Sequence, residues 1–144
     1  MPSPLRVVAA AIIADRRLLL VSKRAAPDVF YLPGGKPEPG EQPLETLARE
    51  LAEELNLAVI DADLLSVVCE EAALERTAME MRVYQVRVEG VVSPRAEISG
   101  IAWVDARGEV PGTLAPAIRN QVLPDLAARQ LISDGVRRRR PAAA

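Results

Sequence analysis

The chain has 144 residues, of which 49% are apolar and 26% charged. That is long enough for one domain with a buried core, and the net charge of −2 lacks the basic footprint of a duplex-binding protein. There is no histidine, so acid–base chemistry falls to carboxylates, Lys, Tyr or water, and the lone Cys69 excludes an internal disulfide and fits a reducing compartment.

In chain order, residues 5–14 are rich in Val, Ile and Ala and predict a strand buried on both faces. The apolar run Val7 to Ala14 is too short for a membrane span. Asp15-Arg16-Arg17 predicts a turn, and Leu18 to Ser22 a second strand in a hairpin with the first. Lys23 and Arg24 close that strand, Ala25 to Asp28 reads as loop, and Phe30 to Pro33 as a short strand entering a Gly/Pro-rich loop, Gly34 to Gly40.

Glu41 to Leu55 predicts an amphipathic helix. Leu44, Leu47, Ala48, Leu51 and Leu55 form its apolar stripe, Pro43 sits near its start, and Asn56 follows as a left-handed cap. Glu50, Glu53 and Glu54 are expected to converge on one face away from the leucines. Hard oxygen ligands without His or Cys suit Mg²⁺ or Mn²⁺. The plainer alternative is a solvated acidic face, with Arg49 pairing with Glu45 and Glu53.

Beyond the helix, Val59-Ile60 and Leu64 to Cys69 are apolar runs around Asp61 and Asp63. Glu70 to Arg76 predicts a turn or strand end, and Met79 to Val88 a half-exposed strand with a slip near Tyr84. Gly90 to Gly100 reads as loop, Ile101 to Val104 as strand, and Ala115 to Ile132 as a helix interrupted at Pro124. A single domain is expected over residues 1–136, with a disordered basic tail at 137–144.

The stretch from Gly35 to Leu57 resembles the Nudix box, G-x5-E-x7-R-E-U-x-E-E-x-G-U, where U is a bulky aliphatic residue. Gly35, Glu41, Arg49, Glu50, Leu51, Glu53, Glu54 and Leu57 match, and Asn56 replaces the final Gly. The resemblance implies an α/β class and the Nudix fold, a mixed β-sheet in an α/β/α sandwich. It implies a Mg²⁺- or Mn²⁺-dependent cytoplasmic hydrolase of a nucleoside diphosphate linked to another group. Glu53 and Glu54 are then metal ligands with the Gly34 carbonyl, Glu50 a further ligand or the base, Arg49 the group orienting the glutamates, and Glu41 its support. Lys36 and Arg24 are candidates for binding substrate phosphate. Glu97, six residues before Trp103, matches a further metal-binding loop Glu of short triphosphatase members.

The entry Tyr31 to Lys36 is similar to the triphosphate-cleaving, MutT-type branch, which implies a nucleoside triphosphate cleaved to monophosphate and pyrophosphate, with nucleotide-pool sanitation as a role. Leu114 stands where the member acting on 8-oxo-dGTP carries a purine-reading Asn, so a pyrimidine nucleotide or broad tolerance is expected. The alternatives are a hydrolase of ADP-ribose or another NDP-X, or a non-catalytic nucleotide sensor. The expected partner is a small-molecule nucleotide, with no membrane and no stable nucleic-acid partner; a homodimer is left open.

Overall fold

The structure, a computed structural model, describes residues 4–72 and 77–136. The basic tail expected at 137–144, and part of the turn expected over Glu70 to Arg76, lie outside the described residues.

Two sheets form where one was expected. The first joins β1 (Leu5–Ala11), β5 (Gly34–Gly35), β6 (Ala58–Glu71) and β7 (Ala78–Glu89), in the order β5-β1-β7-β6. In the second, β3 (Arg17–Lys23) pairs with β2 (Ile13–Ala14), β4 (Ala26–Tyr31) and β8 (Ile98–Val104), and β4 pairs with β9 (Thr113–Leu114). The β1–β7 and β4–β9 pairings are parallel and the others antiparallel, so both sheets are mixed.

The expected first hairpin is correspondingly small. Only Ile13 and Ala14 pair with β3, opposite Leu18 and Arg17, while β1 turns away to β7. Ala26 to Asp28, expected as loop, begins β4. Pro27 is tolerated there because the β3–β4 ladder is irregular, with a register shift between Val21 and Lys23.

From Val8 onward strand β1 is buried on both faces, as the apolar run that follows Arg6 requires. Val8, Ala10 and Ile12 face α1 (Pro43–Leu55) together with Leu19, Val21, Val86 and Ile98. Ala9 and Ala11 face the opposite layer, where Phe30, Leu32, Met81 and Val83 meet Ile118, Val122 and Leu126. Ile118 and Val122 lie in a π-helical turn at Ile118–Val122 that runs into α2 (Leu123–Ala128), which carries Leu126. The result is the α/β/α sandwich. The wide turn sits where Pro124 cannot donate to the residue four back, which is the expected interruption. The helix stops at Ala128 rather than Ile132, because Gln130 is left-handed at φ 60°.

Strand β6 is continuous through the two apolar runs, and its register against β7 shifts between Leu64 and Ser66, opposite Tyr84 and Val83. That bulge is the slip expected near Tyr84.

Helix α1 starts and stops on local chemistry. Pro43 fills its first turn, Glu45 Oε1 accepts the Gln42 N–H at 3.2 Å, and Asn56 is left-handed at φ 58°, ψ 38°. Its buried stripe is narrower than expected: Leu47, Leu51 and Leu55 are fully buried, whereas Leu44 is 50% exposed and Ala48 is also exposed. Asn adopts the left-handed region at less cost than Ala. Asn56→Gly should therefore be neutral or slightly stabilising, and Asn56→Ala should cost about 1 kcal/mol. Urea denaturation of the two variants measures this.

Candidate active site

The glycine pair brings the loop onto the sheet. Val8 pairs with Gly35 and Ala9 with Gly34. Gly34 has φ +144°, and a Cβ on it would lie 2.1 Å from the Val8 carbonyl oxygen. A Cβ on Gly35 would lie 2.6 Å from the Glu50 carboxyl. Glycine at 34 thus lets β5 reach β1, and glycine at 35 lets the Glu50 carboxyl rest directly on the loop.

Arg49 fixes that carboxyl from the other side. Its Nε donates to Glu41 Oε2 at 2.8 Å and its Nη2 to Glu41 Oε1 at 3.0 Å, a two-pronged fork. Its Nη1 donates to Glu50 Oε1 at 2.7 Å, and Nη2 reaches the Lys36 carbonyl at 3.2 Å. Glu41 also accepts from the Thr46 hydroxyl at 2.7 Å and the Glu38 N–H at 3.0 Å. The hydrogen bonds from Arg49, then those from Glu38 and Thr46, hold the Glu41 carboxyl down from its ordinary 4.5 to about 2. Glu45 takes no part, being spent on the helix cap, and Glu53 lies 3.8 Å from Arg49 with 59% of its side chain exposed.

Glu50 and Glu54 line one cleft, with Glu53 at its exposed side beside Arg49. Glu54 is 3% exposed, on the edge of the leucine stripe. It follows Leu47 by seven residues, which places it only about 20° from that leucine around the helix. Burial first, and then the adjacent Glu50 carboxyl, push the Glu54 pKa well above the carboxylate range, while Lys23 pulls it partly back. Glu54 Oε1 is buried without a hydrogen-bond partner. Among the described residues, no three Asp, Glu, Cys or His side chains are gathered tightly enough to form a preformed metal site.

A cleft opens at this point, lined by Gly34, Gly35, Lys36, Glu38, Arg49, Glu50 and Glu54 from the box, Val7 from β1, and Lys23 and Glu97. Glu97 arrives because its loop closes the end of α1. The Ser93 N–H donates to the Leu55 carbonyl at 3.0 Å and the Arg95 N–H to the Glu54 carbonyl at 2.8 Å, satisfying groups the helix leaves open. Lys36 lines the cleft, but Arg24 does not; its Nε donates to the Ala96 carbonyl at 3.1 Å. Lys23, Glu38 and Thr46 complete the arrangement without having been singled out in the sequence. Lys23 ends β3 where its ladders with β4 and β8 shift register, a placement that strand periodicity could not supply. An apolar cavity adjoins the cleft through Val7, lined also by Leu5, Tyr31, Leu32, Met79, Met81, Ala115, Ala117 and Ile118, with Glu71 and Ala72 at β6.

The family model for the NUDIX domain matches residues 4–126. The chain belongs to the Nudix family. It is similar to the putative 8-oxo-dGTP diphosphatase 2 of Mycobacterium tuberculosis, at 36% identity over 103 residues, covering 69% of this chain and 72% of that protein. It is also similar to the crystal structure of a MutT Nudix hydrolase from Burkholderia pseudomallei, with a TM-score of 0.74 and 28% identity over 87% of this chain and 99% of that one. The Nudix domain of Shewanella oneidensis NrtR, solved with ADP-ribose, shares the fold alone, with a TM-score of 0.70 and 21% identity over 90% of each chain. The protein is thus a MutT-type Nudix hydrolase, an enzyme that cleaves phosphoanhydride bonds. Among the described residues no helix is long and apolar enough to cross a membrane.

The Arg49–Glu41 fork has a defined acid signature. With the folded pKa of Glu41 below its ordinary value, the stability it lends is present above about pH 4.5 and lost as pH falls toward 2. The melting temperature of Glu41→Gln should fall below wild type at neutral pH, and the gap should close as pH drops through that window.

Proposed function

We propose that the protein is a Mg²⁺- or Mn²⁺-dependent nucleoside triphosphate pyrophosphohydrolase that releases a nucleoside monophosphate and pyrophosphate. The observation that carries this reading is the Glu54 carboxyl, buried against the leucine stripe with one oxygen unpartnered and with Glu50 beside it. A buried carboxylate without compensation is costly, and a hard divalent cation is the compensation an all-oxygen donor set accepts.

Glu50, Glu53, Glu54, Glu97 and the Gly34 carbonyl would hold that cation, Glu50 serving as ligand or base. Bound there, it would neutralise phosphate charge and sharpen a water as nucleophile. Arg49 spends its donors on Glu41, Glu50 and the Lys36 carbonyl, so its task is to orient the glutamates rather than to meet substrate. Lys36 offers an ammonium at the cleft for phosphate. Water adds at one phosphorus of the α–β anhydride, the bridging oxygen leaves with the other, and the proton passes to a carboxylate.

The apolar cavity next to the cleft suits the nucleobase. Leu114 does not line it; Ala115 and Ala117 do, and neither carries a side-chain donor or acceptor, which leaves Tyr31 and Glu71 as the residues of its lining with polar side chains. This supports tolerance among bases or a pyrimidine. The M. tuberculosis relative makes 8-oxo-dGTP the natural comparison, and monophosphate release from oxidised triphosphates is the reaction that would serve sanitation of the nucleotide pool.

Steady-state kcat/KM with Mg²⁺ should be compared across canonical and oxidised nucleoside triphosphates, nucleoside diphosphates, ADP-ribose and dinucleoside polyphosphates. Triphosphates should lead, with 8-oxo-dGTP favoured by less than about 100-fold, or about 2.7 kcal/mol, and excess chelator should abolish turnover. A stronger 8-oxo-dGTP preference refutes the tolerant cavity, preference for ADP-ribose refutes the triphosphate assignment, and full activity in chelator refutes metal dependence.

A further inference from the structure

The apolar cavity beside the cleft measures about 90 Å³, against roughly 300–1,000 Å³ for a whole small-molecule site. In so small a space the position of each wall decides what fits. One wall is rigid: Leu5 and Val7 of β1 pair with Met79 and Met81 of β7 in a parallel ladder, and all four line the cavity. Another wall is built differently. Ala117 and Ile118 come from the start of the π-helical turn, and Glu71 and Ala72 from the end of β6.

Side chains join these two pieces. Gln121 Nε2 donates to the Cys69 carbonyl at 2.8 Å and to Glu70 Oε2 at 3.2 Å. Asn120 Nδ2 donates to the same Glu70 oxygen at 3.4 Å. Further along, Arg129 Nη2 donates to the Leu65 carbonyl at 2.9 Å. Among the described residues, no backbone–backbone hydrogen bond joins this helical segment to β6. Neighbouring residues on an α-helix point about 100° apart, yet here the π-helical turn brings Asn120 and Gln121 onto one carboxylate. Single π-turns of this kind recur at functional sites. The bonds from Gln121 first, then from Asn120, hold the Glu70 carboxyl below its ordinary range, so it meets both amides as a charged acceptor.

The clasp stands at the cavity's edge. Gln121 follows Ile118 on the same turn, and Glu70 directly precedes Glu71. Neither Asn120 nor Gln121 lines the cavity or the cleft, so both act through the walls they join.

We propose that Gln121, with Asn120, is a specificity-determining positioning residue, whose bonds to Cys69 and Glu70 fix the width of the cavity and so limit the size of base it admits. This rests on the reading that the cavity takes the nucleobase. Releasing the clasp lets the turn move off β6, which favours a two-ring base over a one-ring base.

Calorimetric titrations with dCMP, dGMP and inorganic pyrophosphate in Mg²⁺ buffer should be run on wild type, Gln121→Ala, Glu70→Ala and the double variant, with thermal melts confirming that each is folded. Gln121→Ala should shift the affinity ratio of dGMP to dCMP about tenfold toward dGMP, the lower end of what a change in pocket fit yields. Pyrophosphate affinity should stay at the wild-type value. Glu70→Ala should shift the ratio the same way, and the double variant no further than Gln121→Ala, because partners in one contact are not additive. The assignment is overturned by an unchanged ratio, by a pyrophosphate affinity that falls along with the nucleotides, or by shifts that add in the double variant. Wild type that binds neither monophosphate overturns it as well. Turnover of dCTP and dGTP separates this from the hydrolase reading. A shifted binding ratio with no turnover of either would sink that reading and leave the clasp standing, whereas turnover with an unchanged ratio sinks the clasp alone.

Discussion

One guanidinium holds the site together. Arg49 stands among Glu38, Glu41, Glu50 and Glu53, with Glu41 and Glu50 at hydrogen-bond distance. A lysine could neutralise charge there but could not fork onto both oxygens of Glu41 while also reaching Glu50. The same side chain ties the loop to the helix through the Lys36 carbonyl. Without it, the acidic side chains would repel and the Glu50 carboxyl would lose its fixed place above Gly35.

The scaffold makes that arrangement rigid from three directions. Strand β1, buried on both faces from Val8 onward, anchors the glycine pair through its ladder with β5. The leucines of α1 pack against β1 and β3, which sets the helix's rotation and so decides which glutamates face in. The loop from Gly90 to Glu97 ties down the helix C-terminus and brings a carboxylate from a distant stretch of chain. The cost sits in Glu54, a buried acid with an unpartnered oxygen. An apolar side chain in its place would make the site easier to fold.

Much of this was legible in the sequence, for identifiable reasons. The box is a pattern of fixed residue types at fixed spacing, so it survives without any knowledge of packing. Asn56 and Pro43 follow local backbone rules, and both hold. The failures share a different cause, because they depended on what packs against what. Leu44 matches the helical period but lies in the first turn, where nothing covers it. Glu54 was read as polar and therefore outward, although its angle around the helix puts it beside Leu47. Ala26 to Asp28 carries the composition of a turn, yet β3 is there to pair with it. The division into two sheets is set by long-range pairing of β1 with β7, which no local window contains.

The central claim is that an Arg-braced glutamate cleft hydrolyses the α–β anhydride of a nucleoside triphosphate. Phosphorus NMR of the products, with Mg²⁺ and with chelator, tests it most directly. The account predicts nucleoside monophosphate and pyrophosphate as the only products, formed with Mg²⁺ and absent in chelator. Nucleoside diphosphate with orthophosphate, or the same products at the same rate in chelator, would contradict it.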